Sequence, residues 1–132
     1  MSRTVKNRGR RNRQIGQEWE CECARLLRRW WPDCKRSSQS SNGTGVPVPD
    51  LLETPFWVEC GKSSAPLTQN FYWRKYQQAC SDREKARDTR PVLLLLMCAR
   101  QRWVGLEGRD GSAPGLVPLS RIEDVVAGYF DS

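Results

Sequence analysis

PDLLETPFWVECGK, residues Pro49–Lys62, is the stretch that decides the fold. Asp50–Leu52 and Phe56–Cys60 read as short strands on either side of a turn at Glu53-Thr54-Pro55, because aromatic and β-branched residues favour strands and proline interrupts them. Glu59 is a lone acid within FWVEC. Burying a carboxylate among Phe56, Trp57 and Val58 is unfavourable unless a cation or a metal ion compensates it. Asp50 and Glu59 on adjacent strands can converge on one point and present the hard oxygen ligands that Mg²⁺ takes. Lys62 follows Glu59, and a lysine nearby can stabilise charge developing on a phosphate. By itself D-x(8)-E-x-x-K is a weak pattern.

Upstream, Ile15–Trp31 carries Ile15, Trp19, Cys23, Leu26, Leu27 and Trp30 at helical spacing and stops at Pro32. Cys34–Gln39 reads as a short strand, followed by the Gly-, Ser- and Pro-rich connector SSNGTGVPVP. Downstream, Leu67–Ala86 is helical, with Phe71, Lys75, Gln78 and Asp82 along one side. Val92–Cys98 is an apolar strand without alternation, which implies cover on both faces. Arg102–Leu106 forms another strand, residues 108–115 a loop, and Leu119–Tyr129 a closing amphipathic helix. This order predicts an α/β domain over residues 15–132, with a flexible basic arm over residues 1–14.

The arm holds Arg3, Lys6, Arg8, Arg10, Arg11 and Arg13 and no acid. The whole chain has 22 Lys plus Arg against 15 Asp plus Glu, so the remainder is nearly neutral. A charged segment with so little apolar content cannot pack and attracts polyanions by counterion release, which points to nucleic acid. A solubilising end is the plainer alternative. The chain contains no histidine, which excludes Ser-His-Asp and Cys-His catalysis and any histidine base. Six cysteines without a CxxC pair are expected to be reduced, mostly buried thiols. No signal-peptide or membrane-spanning pattern is evident, so a cytoplasmic, non-secreted protein is expected.

Several short motifs recur in a recognisable order: Glu20 on the first helix with Leu27 seven residues on, Pro49-Asp50, Val58-Glu59-Cys60, then Gln77-Gln78 ahead of VLLLLM. In these the sequence resembles the Holliday junction resolvase-like branch of the PD-(D/E)xK nucleases over roughly residues 15–106. The resemblance implies a restriction-endonuclease-like mixed β-sheet flanked by helices. It implies Glu20, Asp50 and Glu59 as ligands of Mg²⁺ (or Mn²⁺), with the carbonyl of Cys60 as a fourth, Lys62 as the catalytic lysine and Gln78 (or Gln77) as support. Glu20 is preferred over Glu18 and Glu22 because of its spacing from Leu27.

The family pattern is E-x-K, whereas here the residue two after Glu59 is Gly61 and the lysine is one further on. On a regular strand Lys62 points away from Glu59. Glycine permits a bulge, and an extra residue restores the phase, so a bulge at Gly61 is the expectation. Lys75 replacing the motif lysine, or a degraded site, are the alternatives. In the connector, Arg36, Ser37, Ser38 and Ser40 are candidate phosphate donors, or simply parts of a flexible link. Trp19, Trp30, Trp57 and Trp103 are expected in the core, with Trp31 and Trp73 exposed.

The resulting expectation is a metal-dependent DNA endonuclease acting on Holliday junctions or other branched DNA in recombination, working as a homodimer that matches the two-fold symmetry of a junction. Its rivals are a nuclease of the same fold acting on linear or flapped DNA, and a non-catalytic nucleic-acid-binding protein that has lost the lysine.

Overall fold

The computed structural model describes residues 16–37 and 45–131. The basic arm, with Arg3, Lys6, Arg8, Arg10, Arg11 and Arg13, lies outside the described residues, as do Ser38 and Ser40. Helix α1 covers residues 16–27 and gives way to turns ahead of Pro32, shorter than the periodicity predicted. The residue before a proline is disfavoured in helix, and the chain leaves α1 before it reaches Trp31. Strand β1 (Lys35–Arg36) and β2 (Leu51–Leu52) are short, and β3 (Trp57–Ser63) extends beyond Cys60, where the sequence reading ended it. Helix α2 spans Gln69–Lys85, with the Thr68 hydroxyl accepting the N–H of Phe71 as its N-cap.

Strands β4 (Val92–Cys98) and β5 (Gln101–Leu106) form a hairpin, and the edge strand β6 (Val117–Pro118) falls in a stretch that the sequence left unassigned. A 3₁₀ turn at Leu119–Arg121 leads into helix α3, Ile122–Asp131. The strands follow chain order from β1 to β6 in one mixed sheet. The pairs are antiparallel except β3 with β4, which are parallel and are joined through α2. A parallel pair needs such a crossover, whereas the antiparallel pairs β2–β3 and β4–β5 close with short turns. The fold class is the α/β class expected, consistent with a restriction-endonuclease-like sheet flanked by helices.

Strand β4 organises the core. Leu93 and Leu95 face α1 and α3, packing with Trp19, Cys23, Leu27, Val58, Ile122 and Val126. Val92, Leu94 and Leu96 face the other way, onto Trp57, Tyr76 and Ala79 beneath α2. The uninterrupted apolar run therefore does have cover on both faces. Leu93–Leu96 are 0% exposed, and each fully buried leucine contributes about 1.5–3 kcal/mol. The Trp19 indole N–H donates to the Leu95 carbonyl at 3.2 Å, which fixes α1 against the sheet. Trp57 is buried as expected, Trp73 is exposed, and Trp31 is half-covered against Phe56 instead of exposed. All six cysteines are free, four of them buried. Among the described residues no helix is long and apolar enough to cross a membrane.

On its other flank α2 is tied down by charge. Glu107, just beyond β5, accepts hydrogen bonds from Tyr76 Oη and the Arg83 guanidinium, while its backbone N–H donates to the Val92 carbonyl at 2.9 Å. Removing one partner of a buried pair strands the other charge. Glu107→Ala is expected to lower the unfolding free energy by about 3 kcal/mol in urea titration. A loss within about 0.5 kcal/mol, the range of an ordinary surface substitution, contradicts an anchoring role.

Candidate active site

The site grows from the pairing of β2 with β3. Leu51 sits opposite Val58, and continuing that antiparallel register by one residue sets Asp50 beside Glu59. The Asp50 N–H donates to the Val58 carbonyl at 2.9 Å. The Cys60 N–H donates to Asp50 Oδ2 at 2.7 Å. Asp50 is thus held by the backbone of β3, and Cys60 joins the site through its N–H. The Ser37 N–H donates to the Asp50 carbonyl at 2.9 Å, so the start of the connector packs against the same aspartate. Glu20, on α1, reaches this edge of the sheet and pairs with Arg36 Nε at 3.6 Å. Arg36, a candidate phosphate donor in the sequence, is here the partner of a candidate metal ligand.

The bulge expected at Gly61 is absent. Strand β3 pairs with β4 residue for residue, from Trp57 opposite Val92 to Ser63 opposite Cys98, with Gly61 opposite Leu96 and Lys62 opposite Met97. No extra residue restores the phase, so Lys62 lies on the sheet face opposite Glu59, and it is exposed. Gly61 has another role. A Cβ built on it meets Leu96 Cδ2 at 2.8 Å, Lys75 Cε at 3.1 Å and Lys75 Cδ at 3.2 Å. The stem of Lys75 therefore crosses the β3 backbone at the position where the E-x-K pattern places its lysine. Its ammonium also stacks over the Phe71 ring at 5.7 Å.

Asp82 stands farther along the same side of α2. The Gln78 amide donates to its two carboxylate oxygens at 3.1 and 3.2 Å. Gln78, expected to support the site directly, is exposed and acts on Asp82. The helical stripe of Phe71, Lys75, Gln78 and Asp82 was visible in the sequence, but nothing there marked Asp82 as part of the acidic cluster.

The titrations reflect this crowding. Burial and the neighbouring Asp50 push Glu59 up to about 8, with Lys75 opposing and Asp82 and Glu20 adding. Burial also raises Asp50, against the opposing Cys60 N–H and the Lys75 ammonium. Glu20 is raised by burial and by Asp50, while Arg36 lowers it. Four acids thus share a corner with two cations, Lys75 and Arg36. The Cys60 thiol, buried and hydrogen-bonded to the free thiol of Cys23, is held well above its ordinary value and stays protonated. Among the described residues, no group of three or more His, Cys, Asp or Glu side chains is placed so as to hold a metal ion. Asp50 and Glu59 are the closely matched pair, and Glu20 is turned to Arg36.

Chemically, the corner offers oxygen donors in excess of positive charge, beside a lysine whose stem is fixed by packing. Comparison of the chain with family models, with curated proteins and with solved structures gives no match.

A carboxyl raised when folded keeps a proton that the unfolded chain has released. Stability is therefore fully present below the ordinary carboxylate range and is lost as pH rises towards about 8. Without divalent ions, thermal unfolding is expected to shift downward between about pH 5 and pH 8, by a few kcal/mol in free energy. Glu59→Gln flattens most of that slope, and a wild-type profile that is flat or rising over this window rules out the crowded cluster. Gly61→Ala, which drives a methyl into Leu96 and Lys75, is expected to destabilise the fold by about 1–3 kcal/mol in urea titration.

Proposed function

We propose that the chain is a divalent-metal-dependent endodeoxyribonuclease of the PD-(D/E)xK kind, acting inside the cell as a homodimer on branched DNA. The observation that carries this reading is the juxtaposition of Asp50, just ahead of β2, with Glu59 on β3, with the Lys75 stem laid over Gly61. Mg²⁺ is usually held by one or two carboxylates together with waters and phosphate oxygens. Two oxygen donors in an electrostatically overcrowded corner fit that ion and leave room for a phosphate. Asp50 and Glu59 would hold it, with the Cys60 carbonyl as the further donor carried by the family resemblance; Glu20, which the same resemblance adds, would have to leave Arg36 to join them.

Each residue then has a definite task. Asp50 is oriented by the Cys60 N–H on Oδ2, and its carboxylate would be a ligand of the ion. Glu59 must lose its proton for the ion to bind, so loading releases protons at neutral pH. A divalent ion bound there supplies charge neutralisation on the phosphoryl group and activation of water. Lys75 sets a fixed positive charge where negative charge accumulates on the phosphorus oxygens, the task the family gives to its motif lysine. Gln78 steadies Asp82, whose charge bears on both ligands. The chain without histidine needs no covalent intermediate for this hydrolysis.

Nicking of supercoiled plasmid with Mg²⁺ or Mn²⁺, and cleavage of a labelled four-way junction beside flap and linear duplex, test the reading. Asp50→Asn and Glu59→Gln are expected to lower the cutting rate by about 10²-fold or more while the DNA is still bound, and chelation by EDTA should stop it. At saturating DNA, Lys75→Met is expected to slow single-turnover cutting by about 10²-fold, more than Lys62→Met does. The reverse order returns the motif role to Lys62. Cutting that persists in EDTA overturns the metal dependence, and absence of any nicking by the wild-type chain favours the non-catalytic binding protein.

A further inference from the structure

A cavity of about 990 Å³ opens where β3 and β4 end. Its walls carry Lys62, Lys75 and Arg100, with the hydroxyls of Ser63 and Ser64 and, from the first described turn of α1, Gly16. Among the described residues no acidic side chain lines it. Among the described residues neither Lys62 nor Arg100 forms an ion pair. Residues 1–15 and 38–44 contain no Asp or Glu that could supply one. Unneutralised cations gathered in one concavity are a receptor for negative charge. Lys75 joins this cavity to the carboxylate corner, since its stem crosses Gly61 on the way.

The cavity rim is also strained. Cys98 pairs with Gln101, leaving Ala99 and Arg100 as a two-residue turn between β4 and β5. Their φ values are 49° and 70°, the left-handed conformation that such hairpin turns require and that Asn-Gly normally fills. A side chain there is less stable than glycine. The sequence thus keeps an arginine where glycine would suit the backbone better, and that arginine lines the cavity.

We infer that this cavity seats the phosphodiester backbone of the nucleic-acid strand next to the bond being cut, with Lys62 and Arg100 as its phosphate-binding residues. The inference rests on the nuclease reading for its ligand class, and it gives Lys62 a task on the sheet face away from Glu59. Arg is suited to grip phosphate through paired N–H donors, and Lys serves as a point charge.

The test uses the full chain carrying Asp50→Asn, so that DNA is bound and not cut, with fluorescence anisotropy of a labelled duplex and a four-way junction over a range of NaCl. Lys62→Gln and Arg100→Gly are each expected to weaken binding about 5- to 10-fold and to reduce the slope of log affinity against log salt by about one. Arg100→Gly should at the same time raise the melting temperature, so its weaker binding cannot come from unfolding. Arg87, past the end of α2 with φ 54°, provides the control, because Arg87→Gly also relieves a left-handed backbone and removes a cation away from the cavity. It should stabilise the fold and leave binding close to that of the parent. Wild-type affinity and salt slope in Lys62→Gln or Arg100→Gly overturn the inference, as does an equal loss in Arg87→Gly, which reduces the effect to net charge. Failure of wild-type cutting with these binding effects intact counts against the nuclease reading alone.

Discussion

Strand β3 is paired with β4 without interruption, and that pairing allots its side chains to two faces with a period of two. Glu59 and Gly61 go to the α2 face, and Cys60 and Lys62 to the α1 face. Everything chemical in the molecule follows from this allotment. The acid is delivered next to Asp50, the glycine leaves a path above the backbone, and α2 lays Lys75 along that path. A bulge would have delivered Lys62 to the same point at the expense of ladder hydrogen bonds between β3 and β4, in the middle of a sheet whose leucines are fully buried. Packing on both sides of β4 tolerates no such offset, so the positive charge near Glu59 comes from the helix.

The acidic corner is stable only as a compromise. Burial and mutual repulsion act in the same direction on Glu59 and Asp50, while Lys75 and the Cys60 N–H act against them. One lysine does not balance four acids, and Arg36 is engaged chiefly with Glu20. The molecule keeps this imbalance in a place where apolar residues would have packed more stably, and it secures α2 elsewhere, through Tyr76, Arg83 and Glu107. Local rules are usually broken where a site is built and obeyed in the scaffold around it. The left-handed Ala99-Arg100 turn is a second breach of the same kind, on the cavity that Lys75 also lines.

Much of the scaffold was legible in the sequence because it is written in local patterns. The unalternating VLLLLM run announced a strand covered on both faces, and the two sets of contacts made by Leu93/Leu95 and Leu94/Leu96 are that cover. FWVEC announced a strand with an acid to be compensated. The lysine was not legible in the same way. Whether Lys62 or Lys75 stands near Glu59 depends on the phase of β3 at Gly61 and on how α2 is seated, and both are set by packing between segments distant in sequence. The Glu20–Arg36 pair and the part taken by Asp82 are non-local in the same sense. The edge strand β6 is too short and too proline-rich for a pattern to mark it.

The same two-face division explains why the chain carries its cations as it does. Among the described residues a lysine that stays on β3 but points away from the acids has no ion-pair partner, nor has the arginine of the β4–β5 turn. Had both been drawn into the acidic corner, they would have neutralised it and left no charge deficit for an ion to fill. Kept apart, the acidic corner and the basic cavity retain opposite affinities within one compact surface, bridged by Lys75. A phosphodiester needs both, since its backbone is polyanionic and the group transferred carries further negative charge in the transition state. A nearly neutral fold with separated poles therefore suits the proposed substrate better than one whose charges pair off, and the net positive charge of the sequence is concentrated ahead of Gly16.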